Sequence, residues 1–223
     1  MRSLPPTLSR TRDALHRVAE HVLSPARYAV TGRIGLRPAP GGFATPPFGQ
    51  DGRTVAVDGI ELVVVTSGTR RRAPLTTLRA AAEFAGVQPG APAHLYTPVT
   101  PLKLDEPLEL DPEAARLIAG WYALGAQALS VFAAGIPQDE PSEAQLWPEH
   151  FDLAIAAAQV NYGISPGDGY IDDPYIYVNP YGGPPQGDPD FWNVPFGAAR
   201  TIHEIESAGD AVAFFRAGRD AVH

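Results

Sequence analysis

The 223-residue chain has no cysteine. Disulfides, thiolate nucleophiles, iron–sulfur clusters and cysteine-held zinc are excluded, and any chemistry must come from histidine, carboxylate, hydroxyl and amide groups. Phosphate loops are missing as well. Gly41-Gly42 and Gly182-Gly183 are not followed by Lys-Ser or Lys-Thr and belong to no G-x-G-x-x-G run, so no nucleotide site is expected. Ser165 and Ser67 sit outside any nucleophile elbow, and Asp168, Asp172, Asp173, Asp188 and Asp190 lack the spacing and terminal Glu of a calcium loop. No cofactor is therefore implied. No uninterrupted apolar run nears the roughly 20 residues of a membrane helix, and the start MRSLPPTLSR has no apolar core; a cytoplasmic location without a membrane partner is expected.

What is present is an acidic chain with 44% hydrophobic residues, 17 basic and 25 acidic side chains and a net charge of −8, enough apolar content for a folded core. The charges are unevenly placed. Residues 1–79 hold 12 Arg against five acidic side chains, and residues 80–223 hold five basic against 20 acidic. Arg27, Arg33, Arg37 and Arg70–Arg72 would suit a polyanion, whereas the plainer reading is two oppositely charged parts with complementary fields. At a net charge of −8 nucleic acid is not the favoured partner.

Leu8, Leu15, Val18 and Val22 recur at helical spacing and Ser24-Pro25 closes the pattern, which predicts a helix over 7–23. Alternation from Arg27 to Arg37 predicts a strand, and Thr54–Val57 and Ile60–Val65 around Asp58-Gly59 predict a hairpin, followed by an exposed turn SGTRRRAP. A short helix over 75–85 ends at Gly86, and the proline-rich stretch 87–110 runs extended with a short edge strand at His94–Tyr96. Asp111-Pro112 opens the strongest helix, 112–134. Strands follow at 150–157, 160–165, 175–179 and 198–205, the last ambiguous with helix, and a Ser207/Asp210 cap opens a terminal helix over 209–220. Hairpins without regular β-α-β alternation argue for an α+β fold built mainly on antiparallel sheet. One domain over 1–223 is expected, with a division near 135 as the alternative.

Two constellations carry candidate chemistry. On a strand, His150 and Asp152 would share one face, where the carboxylate raises the basicity of the imidazole and fixes its tautomer, with Glu149 as an acid. The plain alternative is a solvated surface pair. A metal would need a third ligand, such as His203 with Glu204 or Glu206, and none is assigned. The second constellation is the tract 162–196, which holds five of the eight tyrosines together with Phe191, Trp192 and Phe196. Its Tyr162, Asp168, Tyr175, Tyr177, Asn179, Trp192 and Asn193 have the amphipathic rings and amides of a contact surface, on loops stiffened by proline. The competing reading is that the rings merely cover a sheet with little helix above it.

The blocks GRIGLRPAPGGFATPPFG, LWPEHFDLA, NYGISPGD, PYIYVNPY and FWNVPFGA resemble recurrent blocks of uncharacterised actinobacterial proteins. The resemblance spans most of the chain and brings no activity, cofactor or catalytic residue with it. It implies that the three C-terminal blocks form one unit.

The expected function is binding of a small polar molecule or a protein partner through the aromatic, Pro/Gly-rich loops. The alternative is a hydrolase or isomerase with His150 as base and Asp152 as its orienting partner, with or without a metal; whether the chain is an enzyme stays open. Strand edges also invite self-association into a homo-oligomer. Both readings require His150 and the tyrosine tract to open on one hollow.

Overall fold

Proline does not end the first helix. In the computed structural model, which describes residues 3–185 and 187–222, α1 (Leu8–Val18) continues through a π-helical turn (Ala19–Leu23) into α2 (Ser24–Thr31), capped by left-handed Gly32. Pro25 has no N–H for the His21 carbonyl four residues back. That carbonyl instead accepts from the Gly90 amide at 3.0 Å. The strand expected over 27–37 is thus corrected: residues 27–31 are the end of α2, and only Arg37–Ala39 (β1) is strand.

The chain divides into two compact units whose boundaries fall after Gly120, Gln145 and Phe151. The N-terminal unit comprises residues 3–120 with 146–151, and the C-terminal unit residues 121–145 with 152–222.

In the N-terminal unit, β1, β2 (Gly42–Ala44), β3 (Thr54–Asp58), β4 (Glu61–Thr66) and β5 (Thr69–Pro74) form an antiparallel sheet in sequence order. Asp58 pairs with Glu61, so the hairpin loop is Gly59-Ile60, with Gly59 at φ +64°. SGTRRRAP is not a free turn. Ser67 and Gly68 take positive φ and reverse the chain, and Arg70–Arg72 pair along β4 as an exposed edge strand, a sequence that discourages edge-to-edge pairing. Val55, Val57, Leu62 and Val64 are buried. α3 (Leu78–Ala85), capped by the Thr77 hydroxyl and Gly86, lies against α1 and the π-turn. The edge strand expected at His94–Tyr96 is a turn.

α4 (Pro112–Ala134) starts where the sequence says, with Asp111 Oδ1 accepting from the amides of Glu113 and Ala114 at 3.0 and 2.8 Å. Its most apolar stretch has a mean hydropathy of 1.5, long and apolar enough to cross a membrane by length and composition. Ala128, Leu129 and Phe132 of that stretch are fully buried in the C-terminal unit.

The second antiparallel sheet has the order β10-β9-β8-β7-β6, with β6 (Gln145–Trp147), β7 (Asp152–Ala157), β8 (Val160–Ser165), β9 (Tyr175–Pro180) and β10 (Ala198–Thr201). α5 (Ala208–Val222) opens on the expected cap: Ser207 Oγ accepts from the Asp210 amide, and Asp210 accepts from the Ser207 amide at 2.8 Å. Helices lie on one face of β8 and β9. A methyl group on Gly125 of α4 would fall 2.3 Å from the Ile164 side chain, and one on Gly218 of α5 would fall 2.7 Å from Val178, so both helices approach by lacking a side chain. Phe132, Tyr162 and Phe215 fill the space with ring centroids 4.6 to 6.0 Å apart.

Candidate functional site

The opposite face of this sheet carries Tyr175 and Tyr177. Register sets Ala154, Gly163, Tyr177 and Ala199 in one row and Ser165, Tyr175 and Thr201 in the next. Because Gly163 has no side chain, the Tyr177 ring lies over it; a Cβ there would sit 2.4 Å from the ring. The Tyr177 hydroxyl donates to Asp152 Oδ2, and that of Tyr175 donates to Asp168 Oδ2 at 2.6 Å. Burial, reinforced by the neighbouring Asp152 and Asp168 carboxylates, pushes both phenols above their ordinary range, so they remain protonated donors at neutral pH. Tyr122, also fully buried, is raised by burial first and by the Asp152 charge second.

Asp168 organises the loop above this row. Its Oδ1 accepts from the amides of Tyr170 and Ile171 at 2.7 and 2.8 Å, and its own amide donates to the Ile171 carbonyl at 2.8 Å. Ile171, Val194 and Phe196 then cover Tyr175 and Tyr177. Their side chains occupy the space directly over these two rings. Outside this cover, Tyr170 stands edge-on to Phe196 at 5.6 Å and is 60% exposed.

The other residues of the expected ligand set have structural partners. Tyr162 belongs to the opposite, helix-covered face, where burial pushes its phenol up to about 12. Asn193 accepts from the Ala199 amide and donates to its carbonyl at 2.9 and 3.1 Å, acting as a substitute strand neighbour for β10. The Asn179 amide nitrogen faces the Phe196 and Pro180 carbonyls. Trp192 is half-buried and edge-on to Phe191, which leans on Phe214 of α5 with Arg200 over both rings.

His150 and Asp152 do not share a strand face. Residues 148–151 form a turn, and Phe151 at φ +54° breaks the alternation before β7 begins at Asp152. Its buried ring is held between His16, stacked at 5.1 Å, and Phe43, edge-on at 5.2 Å. His150 is exposed, while Asp152 is buried on Tyr177. Glu149, in the same turn, has its pKa raised by burial, with the nearby Glu20 adding to this, and its buried Oε2 has no hydrogen-bond partner among the described residues. His203 pairs with Asp173 at 3.2 Å, while Glu204 accepts from the Thr201 amide. Among the described residues no group of three or more His, Asp or Glu is placed to hold a metal.

Sequence reading missed a buried polar clamp in the N-terminal unit. Glu20 and His21, 0% and 1% exposed, lie in the π-turn. Glu20 accepts from the amides of Val99 and Thr100 at 2.9 and 2.8 Å and from the Thr100 hydroxyl. His21 Nδ1 accepts from the Ala91 amide at 3.1 Å, which leaves Nε2–H to donate to the Thr100 carbonyl at 2.9 Å. Burial lowers the pKa of His21, as it does for His16, which donates to the Pro148 carbonyl at 2.8 Å. The one sequence signal was a Glu-His pair inside the apolar run AEHVL. The arginines read as a polyanion surface are partly engaged: Arg70 and Arg72 face Asp58 and Glu61, Arg71 lies over Phe84 at 4.9 Å, and Arg27 donates to the Gly35 carbonyl.

No protein-family model, curated protein or solved structure matches this chain.

Proposed function

We propose that this protein is a binding protein and that the loops 166–174 and 188–197 present its contact surface to a small polar molecule or a partner chain. The observation that carries this is Tyr170. Its backbone is fixed by Asp168, its ring is propped on Phe196, and Phe196 in turn stands edge-on to Tyr177 at 6.4 Å, yet the ring itself is 60% exposed. A preordered ring with a polar tip gives contact area with little further loss of conformational freedom. The blocks NYGISPGD, PYIYVNPY and FWNVPFGA all fall in the C-terminal unit, on or beside β8, β9 and β10, as a shared contact surface requires.

The test uses the full chain labelled with fluorotyrosine and titrated with polar metabolites and with candidate partner proteins. A saturable shift of the Tyr170 resonance, with Tyr175 and Tyr177 unmoved and binding abolished by Tyr170→Ala at unchanged melting temperature, is the expected result. Binding that persists in Tyr170→Ala, or a Tyr170 resonance that no molecule moves, overturns the reading.

A further inference from the structure

A cleft of about 460 Å³ opens in the N-terminal unit, bounded by the β3–β4 turn, the end of β5 and the first turns of α4. That volume lies within the roughly 300–1,000 Å³ typical of small-molecule sites. Ile60, Pro74 and Pro112 supply apolar wall, and Asp58, Glu61 and Arg116 supply charge. Pro112 and Arg116 are four residues apart, on one side of the helix. The two carboxylates are already answered: Glu61 holds Arg72 at 2.6 Å, and Asp58 faces Arg70 and Arg72 at 3.4 and 3.6 Å. The amides at the start of α4 are taken by Asp111. Arg116 is exposed and, among the described residues, has neither a hydrogen bond nor an ion pair. Among the described residues it is the one unanswered charge on the cleft.

We propose that this cleft binds a small monocarboxylate with an apolar body, the carboxylate in the fork of Arg116 and the body against Ile60, Pro74 and Pro112. A guanidinium matches a carboxylate with two parallel hydrogen bonds. One free cation balances one negative charge, and the flanking Asp58 and Glu61 oppose a dianion such as a phosphate. A neutral molecule of the same shape gains the apolar contact and leaves Arg116 unanswered. The site is separate from the tyrosine loops, and its test does not involve them.

The experiment titrates the full chain with benzoate, with its neutral isostere benzamide and with inorganic phosphate, following the Ile60 methyl and Arg116 Nε–H resonances. Benzoate is expected to saturate both shifts, with benzamide at least about tenfold weaker, the factor a charge-assisted pair supplies. Arg116→Gln is expected to erase the preference for acid over amide without changing the melting temperature, and Arg116→Lys to keep part of it. No saturable benzoate shift, equal affinity for acid and amide, a preference that survives Arg116→Gln, or phosphate binding more tightly than benzoate would each overturn the proposal.

Discussion

Tyr177 reaches the buried carboxylate of Asp152 over the bare backbone of Gly163. The contact joins two strands that are not neighbours, β7 and β9, through the residue type on the strand between them. Tyr177→Phe removes a donor to a buried carboxylate and is expected to destabilise the protein by about 1.5–3 kcal/mol in chemical denaturation. Gly163→Ala should cost at least as much, because the ring must leave. In a double-mutant cycle with Asp152→Asn, strictly additive losses would show that the two side chains are not coupled.

Two glycines of α4 should respond to alanine with opposite signs. At Gly120 a methyl group meets nothing within 4 Å, and the higher helix propensity of alanine should stabilise by about 0.5–1 kcal/mol. At Gly125 the same methyl group falls 2.3 Å from Ile164, and the clash should outweigh that gain. Thermal melts of the two variants check the pair; a stabilised Gly125→Ala would mean that α4 does not lie that close to β8.

Glu149 has its pKa raised above the ordinary 4.5 by burial, so the folded protein holds this proton more tightly than the unfolded chain. The sign follows: the neutral acid is at home in the fold, and stability is lost as pH rises above 4.5 and the carboxylate forms without a partner on Oε2. Glu149→Gln keeps the shape without the charge. Its melting temperature should match the parent protein below pH 4.5 and exceed it increasingly towards neutral pH. A difference that does not change with pH refutes the assignment.

His21 has the opposite linkage. Burial lowers its pKa below 6.5, so it is neutral in the fold, and stability is lost as pH falls below 6.5 and the unfolded chain takes up the proton. The loss should appear first in the segment it holds. The protection factors of the Gly90, Ala91, Val99 and Thr100 amides, taken against the intrinsic exchange rate at each pH, should fall on acidification, and those of Val99 and Thr100 should fall in Glu20→Ala at any pH. Unchanged protection there would remove the clamp from the account.

Legibility in the sequence followed the range of the interaction. Asp111-Pro112, Ser207 with Asp210, and Gly86 each act within a turn of helix, and each element they predicted is present. Leu153, Ile155 and Ala157 alternate against Asp152, Ala154 and Ala156 as read, because strand periodicity is local too. The error at Pro25 came from treating a missing N–H as a stop, when the orphaned carbonyl of His21 finds a donor in Gly90, far along the chain. His150 was placed on a strand because nothing local shows that Phe151 is left-handed; the aromatic contacts that hold it there come from His16 and Phe43.

The candidate site divides the same way. The amino-acid order alone settled an α+β chain of antiparallel hairpins and gathered the tyrosines, prolines and aspartates into one tract, since caps, turns and alternation act between residues a few positions apart. Which of those tyrosines face outward was decided only by folding. Tyr162 and Tyr177 are alike as residues and both lie on strands, yet one fills the space under two helices and the other holds a buried carboxylate, because strand register and the bare glycines at 125, 163 and 218 determine what each ring meets.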